Sequence, residues 1–227
     1  MARSAGVVVP EWLNLLDEPP AFAAAPWQGG QYAVYAACNI KVMRVISGLF
    51  RSRQLKSNPP PGIRPTSDKL RETLFNILGS AVDGSTFLDG YAGMGGIGIE
   101  AISRGAQFVY FVDQSRKACA IIRENMESLD VTDGFRVMEM DLTKALDACE
   151  RDMIQFDIAF LDPPYEREDL YHKSLEQFST RPLLKPDGIL VIEHSKRVEM
   201  PEFAGSLERY RSLKQGDSGL AFYRKTE

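Results

Sequence analysis

The 227-residue chain has little of what a disulfide framework, a metal site or a membrane protein needs. Its three cysteines, Cys38, Cys119 and Cys149, lie far apart without paired metal-binding spacing. Such usage is typical of a reduced, cytoplasmic protein. The two histidines, His172 and His194, leave little for a His-rich metal site, so we expect no metal. No uninterrupted apolar run is long enough to cross a bilayer, and we expect no membrane partner.

The net charge is also modest, and its value of −4 does not suggest a nucleic-acid binder. Its distribution is uneven, however: residues 44–72 hold seven basic and two acidic side chains, a local charge of +5. A basic segment on an acidic body can contact phosphates locally, although a solvated basic loop would look the same. The candidate phosphate-binding residues are Arg44, Arg51, Arg53, Lys56, Arg64, Lys69 and Arg71, with Thr66 beside them.

Composition divides the chain into three parts. Residues 1–42 are rich in Pro, Gly and Ala and lack the basic start of a signal peptide. We expect them to be a disordered or non-native extension, with the native start at Met43. Residues 43–80 read as a basic strand, loop and helix, in which Met43–Gly48 is the strand and Thr66 or Ser67 caps a helix over 68–78. Residues 81–227 form the main domain.

In the main domain, strand and helix patterns alternate. We predict strands at 86–89, 108–113, 135–140, 156–161, 188–193, 207–213 and 219–224. We predict helices at 98–103, 115–129, 144–149 and 169–178. Repeated βα units indicate an α/β fold with a doubly wound, mostly parallel seven-stranded sheet, Rossmann-like in character. The last two strands suggest an antiparallel edge hairpin.

A glycine-rich turn, Asp89-Gly90-Tyr91-Ala92-Gly93-Met94-Gly95, follows the first of these strands. Glycines there let a ligand approach the backbone closely, at the edge of the sheet where open α/β folds bind ligands. Asp89 would repel a pyrophosphate but suits a cation, such as the ammonium or sulfonium of S-adenosylmethionine. The next two strands end in Asp113, placed for the ribose hydroxyls, and Asp141, placed for the adenine edge. Each aspartate alone is also compatible with a turn or helix cap.

The fourth strand, 156–161, runs into Asp162-Pro163-Pro164-Tyr165. Prolines stiffen the turn and leave its carbonyls free to accept hydrogen bonds, and the tyrosine offers a flat face for stacking. Acceptors beside a stacking face suit the exocyclic amino group of a flipped-out nucleobase. A plain turn after a strand is the alternative.

Together these motifs make the chain resemble class I S-adenosylmethionine-dependent methyltransferases. More narrowly, it resembles the RsmD family of small-subunit ribosomal RNA guanine-N(2)-methyltransferases. The resemblance covers Met43 to the C-terminus, and the blocks that carry it are Met43–Gly48, Arg64–Asn76, Asp89–Gly95, Asp162–Tyr165 and Gln215–Arg224. Asp113 stands where the family more often has glutamate.

The resemblance implies transfer of a methyl group from S-adenosylmethionine to the 2-amino group of a guanine in ribosomal RNA or the small ribosomal subunit. The implied cofactor-binding residues are Asp89, Tyr91, Ala92, Gly93, Gly95, Asp113, Asp141 and Leu142. The implied catalytic residues are Asp162, Pro163, Pro164 and Tyr165. Asp162 and the Pro163 carbonyl would accept the two N–H bonds, while Tyr165 stacks the base. We expect a monomer.

Four other functions stay open at this point. A DNA adenine-N(6)-methyltransferase could use the same tetrad, although we see no sizeable insertion for reading DNA. Another RNA amino-methyltransferase could carry the same tetrad, although the Arg64-Pro65-Thr66 block is more specific to the family that the chain resembles. A nicotinamide-dependent oxidoreductase disagrees with Asp89 and with the tetrad, and a non-catalytic RNA-binding module would not need the cofactor carboxylates.

Overall fold

The computed structural model describes residues 43–57 and 66–226, all within one compact unit. The predictions for residues 1–42 and for Arg64 lie outside the described residues. Among the described helices, none is long and apolar enough to span a membrane.

The helices of the described residues begin and end close to the predicted positions. They are α1 Asp68–Leu78, α2 Gly96–Ser103, α3 Arg116–Ser128, α4 Leu142–Arg151 and α5 Glu168–Thr180. Helix α1 has the predicted bounds because Ser67 caps it, with its hydroxyl accepting from the Leu70 amide at 3.2 Å. Gly79, with φ +56°, ends it and leads into a short 3-10 turn.

The strands of the described residues are β1 Met43–Arg44, β2 Gln54–Leu55, β3 Thr86–Gly90, β4 Phe108–Asp113, β5 Phe135–Glu139, β6 Phe156–Leu161, β7 Leu184–Ser195, β8 Phe203–Ala204, β9 Leu207–Gln215 and β10 Ser218–Lys225. Most of them form one eight-stranded sheet in the order β5-β4-β3-β6-β7-β10-β9-β8, while β1 and β2 pair separately. Strands β3 to β7 run parallel, whereas β10 and β9 are antiparallel. The predicted fold class is confirmed. The eighth strand, β8, escaped prediction because it has only two residues.

Each face of the sheet is covered by its own helices. One apolar cluster joins Phe111 and Phe160 of the sheet to α1, α2 and α3, and a second joins the opposite face to α4 and α5. Met43, Val45 and Leu55 of the N-terminal segment belong to the first cluster. The basic segment is therefore packed on the same side as α1 to α3.

The predicted strand Met43–Gly48 is wrong in its length, because β1 ends at Arg44. The chain then turns through Gly48, which has φ +82° and lies so close to the Ser103 carbonyl that a side chain would collide with it. The buried Glu100 of α2 fastens this turn by accepting from the amides of residues 46 and 47, at 2.7 and 3.0 Å. The segment is held against α2 rather than continuing as a strand.

Candidate active site

Four carboxylates meet at one edge of the sheet, at the carboxyl ends of the parallel strands. In the register, Gly90 lies opposite both Val112 and Leu161, and Leu161 lies opposite Ile192. The residues next to these positions are the carboxylates Asp89, Asp113, Asp162 and Glu193. Because side chains alternate between the two faces, all four lie on the face that carries α1, α2 and α3.

The backbone of the glycine-rich turn has free space beside it at this edge of the sheet. Gly93 has φ +54°, and a side chain there would meet no atom within 4 Å. Its N–H donates to Asp113 Oδ2 at 2.8 Å, and Gly95, with φ +80°, is the N-cap of α2. The buried Ala92 donates its N–H to the Val112 carbonyl at 2.9 Å. A ligand can therefore approach the backbone closely at Gly93, while the hydrogen bonds of Gly93 and Ala92 hold the turn in place.

Tyr91 occupies this turn with φ +62°, a conformation that few non-glycine residues adopt. Its side chain packs against the second cluster. Burial raises the pKa of its hydroxyl, while a hydrogen bond with Ser174 of α5 opposes the shift. Tyr91 is therefore anchored to α5, and its part in cofactor binding stays a prediction.

Asp89 lies at the base of the turn and is almost fully buried. Its Oδ2 accepts from the Gly98 amide at 2.8 Å. Burial raises the pKa of Asp89 to about 8. The hydrogen bond from Gly98 opposes this rise in pKa, and the negative charge of Asp113 adds to it. A carboxyl group in such a place holds a proton near neutral pH unless a cation approaches it. This environment fits the predicted pairing of Asp89 with a cationic group.

Asp113 and Asp141 already bind backbone amides. Asp113 accepts from Gly93 through Oδ2 and from the Ser115 amide through Oδ1, at 2.8 and 2.7 Å. The exposed Asp141 caps α4 by accepting from the Thr143 amide at 2.9 Å, and the buried Leu142 is the first residue of that helix. Each carboxylate has lone pairs left, so contacts with ribose and adenine remain compatible with this geometry.

The Asp-Pro-Pro-Tyr turn crosses the same edge. The Asp162 amide donates to the Gly90 carbonyl at 3.2 Å, which joins this turn to the glycine-rich one. Pro164 is exposed and its carbonyl accepts from the Arg167 amide at 2.9 Å. Among the described residues, none donates to the carbonyl of the buried Pro163. That oxygen can therefore accept a hydrogen bond from a ligand.

Glu193, two residues before the end of β7, lies in the candidate site but was not among the residues predicted from the sequence. It is 3% exposed, and its Oε1 accepts from the Tyr165 hydroxyl at 2.9 Å while Oε2 accepts from Thr66 at 3.1 Å. The Tyr165 hydroxyl also lies 2.6 Å from Ser218 Oγ of β10. An acidic residue closing an apolar strand was the available signal, the same one that marked Asp89 and Asp113.

The two carboxyl groups at the carboxyl ends of β6 and β7 both have raised pKa values. The pKa of Asp162 lies well above its usual range, and burial is the main reason. The negative charges of Glu193 and Asp89 raise this pKa further, whereas a hydrogen bond with Thr66 lowers it. Burial also raises the pKa of Glu193, against its hydrogen bonds with Tyr165, Ser218 and Thr66. In the described residues no group of three His, Cys, Asp or Glu side chains is arranged to hold a metal ion.

Two residues predicted to bind RNA face inward instead. Arg71 is 1% exposed, and its guanidinium donates to the Arg44 and Gly96 carbonyls and to Asp68, at 2.8, 3.3 and 2.9 Å. A side chain enclosed in this way cannot reach a phosphate, so the prediction for Arg71 is corrected: it joins β1 to the start of α2. The Thr66 hydroxyl points at Glu193, toward the Asp-Pro-Pro-Tyr turn.

The other predicted RNA contacts are exposed on the described surface. Arg44 pairs with Asp68 at 3.4 Å and Lys56 with Glu124 at 3.1 Å. Such exposed pairs contribute little, so a phosphate can replace the carboxylate partner. The exposed residues of the set are Arg44, Arg51, Arg53, Lys56 and Lys69.

Comparison with known proteins then decides the family. The model of the family described as "Conserved hypothetical protein 95" matches residues 43–224. The chain belongs to this family, the RsmD family of methyltransferases. It is 40% identical to the "Putative rRNA methyltransferase YlbH" of Bacillus subtilis, over 81% of this chain and 99% of the relative. It is 32% identical to "Ribosomal RNA small subunit methyltransferase D" of Haemophilus influenzae, over 80% and 92% of the two chains.

Solved structures agree on the fold of this RsmD-family chain. A putative methylase of Haemophilus influenzae superposes with a TM-score of 0.65 at 27% identity, covering 82% of this chain and 99% of its own. The "Putative methyltransferase yhhF" of Escherichia coli gives 0.69 at 24% identity, covering 81% and 98%. SMU.776, "a putative methyltransferase complexed with SAH", gives a TM-score of 0.58 at 18% identity, covering 77% of this chain and 52% of its own.

Proposed function

We propose that this RsmD-family chain transfers a methyl group from S-adenosylmethionine to the 2-amino group of a guanine in small-subunit ribosomal RNA. The observation that carries the proposal is the Asp162–Tyr165 turn, hydrogen-bonded to the glycine-rich turn at Gly90 and held by Glu193. Relatives whose names specify ribosomal RNA match over most of this chain, which supports the substrate class.

The glycine-rich turn and its carboxylates fit the cofactor. When bound, S-adenosylmethionine supplies an electrophilic methyl group on a cationic sulfur. Gly93 gives backbone access, the buried Asp89 favours a cationic group, and the half-exposed Asp113 keeps lone pairs for ribose hydroxyls. A nicotinamide dinucleotide would instead bring its pyrophosphate against Asp89, which disfavours that rival.

The Asp-Pro-Pro-Tyr turn fits an exocyclic amino group. The free Pro163 carbonyl and the Asp162 carboxylate supply two acceptors for the two N–H bonds, which draws the nitrogen lone pair out of conjugation with the ring. Tyr165 provides the stacking face beside a cavity of about 340 Å³. The charged residues that line this cavity are of both signs: Lys196, Arg197, Glu166, Glu168 and Asp217. The ionised Asp162, or water, accepts the proton that the methylated nitrogen releases.

The basic segment supplies the contacts to RNA. Its exposed side chains, including Arg51 and Lys69, lie on the segment that packs with α1 to α3, on the face of the sheet that carries the carboxylates. Contacts of this kind position the substrate without reading its sequence, so the choice of guanine rests on the shape of the RNA or subunit.

The closest rival is methylation of adenine in DNA, because the tetrad would hold an adenine amino group equally well. Transfer of labelled methyl to unmodified small ribosomal subunits, with duplex DNA alongside, separates the two. We expect label in the RNA only, and none with Asp162→Ala, whose cofactor affinity should stay near that of the wild type. Label in DNA, or full turnover by the variant, would contradict the proposal.

A further inference from the structure

Glu193 has no role in the proposed chemistry so far, although it contacts three separate parts of the site. It reaches Thr66 at the start of α1, Tyr165 of the catalytic turn and, through the Tyr165 hydroxyl, Ser218 of β10. A buried carboxylate is costly unless it is well paired, and Glu193 has no cationic partner among the described residues. Neutral hydroxyl donors hold it instead.

We propose that Glu193 is a positioning residue for methyl transfer, which fixes the ring of Tyr165 and the hydroxyl of Thr66 next to Asp162. This inference rests on the proposed function, since it assigns Tyr165 and Asp162 to the target base.

The first step of the argument concerns Tyr165. A tyrosine on a turn has two free side-chain torsions, so its ring needs an anchor to present one face to a base. The hydrogen bond from the Tyr165 hydroxyl to Glu193, at 2.9 Å, is charge-assisted when Glu193 is ionised. The Tyr165 hydroxyl is also hydrogen-bonded to Ser218 of β10, the strand on the other side of β7. Together they fix the plane on which the base would stack.

The second step concerns Thr66, which follows the segment 58–65 that lies outside the described residues. Its hydroxyl donates to Glu193, and Ser67 directly caps α1. Glu193 thus ties the start of α1, and with it the RNA-binding segment, to the target-base residues. This contact fixes the position of bound RNA relative to the Asp162–Tyr165 turn.

The third step concerns charge. Glu193 and Asp162 are adjacent in the register at the ends of β7 and β6, and the Glu193 charge raises the pKa of Asp162. The other titratable groups facing this pair are Asp89, Tyr165 and Tyr171 of α5. An Asp162 that must be ionised to accept N–H bonds becomes competent only above its raised pKa. Removal of the Glu193 charge lowers that pKa.

The test is steady-state methylation of unmodified small subunits by Glu193→Gln, with Glu176→Gln on the exposed surface of α5 as the matched control. We expect kcat to fall about tenfold, because a charge-assisted bond becomes a neutral one, with the dissociation constant of S-adenosylmethionine within twofold of wild type. The acidic limb of kcat/KM should move to lower pH. A purely structural Glu193 would lower thermal stability and leave the limb in place, which would overturn the proposal.

Tyr165→Phe completes a double-mutant cycle and keeps the proposal testable if Glu193→Gln does not fold. Phenylalanine keeps the stacking face and loses the bond to Glu193, so Tyr165→Phe alone should lower kcat severalfold. The fall in kcat caused by Glu193→Gln should largely vanish in the Tyr165→Phe background. Fully additive losses, or a Tyr165→Phe enzyme with wild-type kcat, would refute the positioning role. Failure of the wild type to methylate RNA would instead refute the proposed function.

Discussion

Replacing Asp89 with asparagine should stabilise the protein at neutral and alkaline pH. Burial raises the pKa of Asp89 to about 8 from an ordinary 3.8. Between these values the folded protein keeps the proton while the unfolded chain has lost it. The folded state therefore binds more protons there, and its stability falls as the pH rises. Asparagine has the same shape and no ionisation, and its amide oxygen can still accept from Gly98.

The size of the effect follows from proton linkage. A group that is protonated in the folded state and ionised in the unfolded state lowers the free energy of unfolding by about 1.4 kcal/mol per pH unit. From pH 5 to pH 7 the wild type should lose about 3 kcal/mol through Asp89, and the asparagine variant should not. Asp162 and Glu193 add their own slopes to both proteins. Because the charge of Asp89 also raises the pKa of Asp162, the difference between the two curves reports Asp89 together with its effect on Asp162.

Urea unfolding without cofactor, at pH 5, 6, 7 and 8, measures this difference. The exposed Asp133→Asn is the matched control and should follow the wild-type curve. Parallel curves for Asp89→Asn and the wild type would show that Asp89 is ionised in the folded protein, which would refute the reasoning.

The same substitution should weaken the binding of S-adenosylmethionine. Loss of a charged partner for the cationic cofactor costs about 1.5–3 kcal/mol, or roughly 10- to 150-fold in the dissociation constant. Isothermal titration at pH 7.5 measures the change. An unchanged affinity would remove Asp89 from the cofactor site while leaving the stability prediction intact.

Three further substitutions separate structural from RNA-binding side chains. Arg71→Ala should destabilise the protein by about 3 kcal/mol or more, lowering the melting temperature by roughly 6–12 °C, because it leaves carbonyls unpaired in a cavity; an unchanged melting temperature would contradict this. Arg51→Ala should leave the melting temperature unchanged and lower the salt dependence of RNA binding by about one phosphate contact; an unaltered salt slope would remove it from the interface. Tyr165→Ala should weaken RNA binding by about 1–3 kcal/mol, and wild-type binding with this variant would argue against stacking.

Local patterns were sufficient to predict most of the fold. Helix α1 was predictable because Ser67 and Gly79 mark its two ends in the sequence, and β6 because an apolar run stops at Asp162. Helix α4 begins at Leu142, two residues before the predicted start, because the Asp141 side chain caps it. Asp141, which was predicted to bind the adenine edge, is therefore also the N-cap of α4.

The parts that escaped prediction depend on distant contacts. Arg71 looks like any basic residue of its segment, and only packing against residues 44 and 96 shows that it is buried. Tyr165 and Glu193 are 28 residues apart, and their contact requires β6 and β7 to be neighbours in register. The shortening of β1 likewise depends on the approach of Gly48 to α2.

The most direct test of the central claim is the identity of the methylated nucleoside. Small ribosomal subunits lacking this modification are incubated with the protein and S-adenosylmethionine, and the RNA is digested and analysed by mass spectrometry, with Asp162→Ala in parallel. Our account predicts 2-methylguanosine with the wild type and none with the variant. A methyl group on another base or another guanine atom, or equal product from the variant, would contradict the assignment of this site.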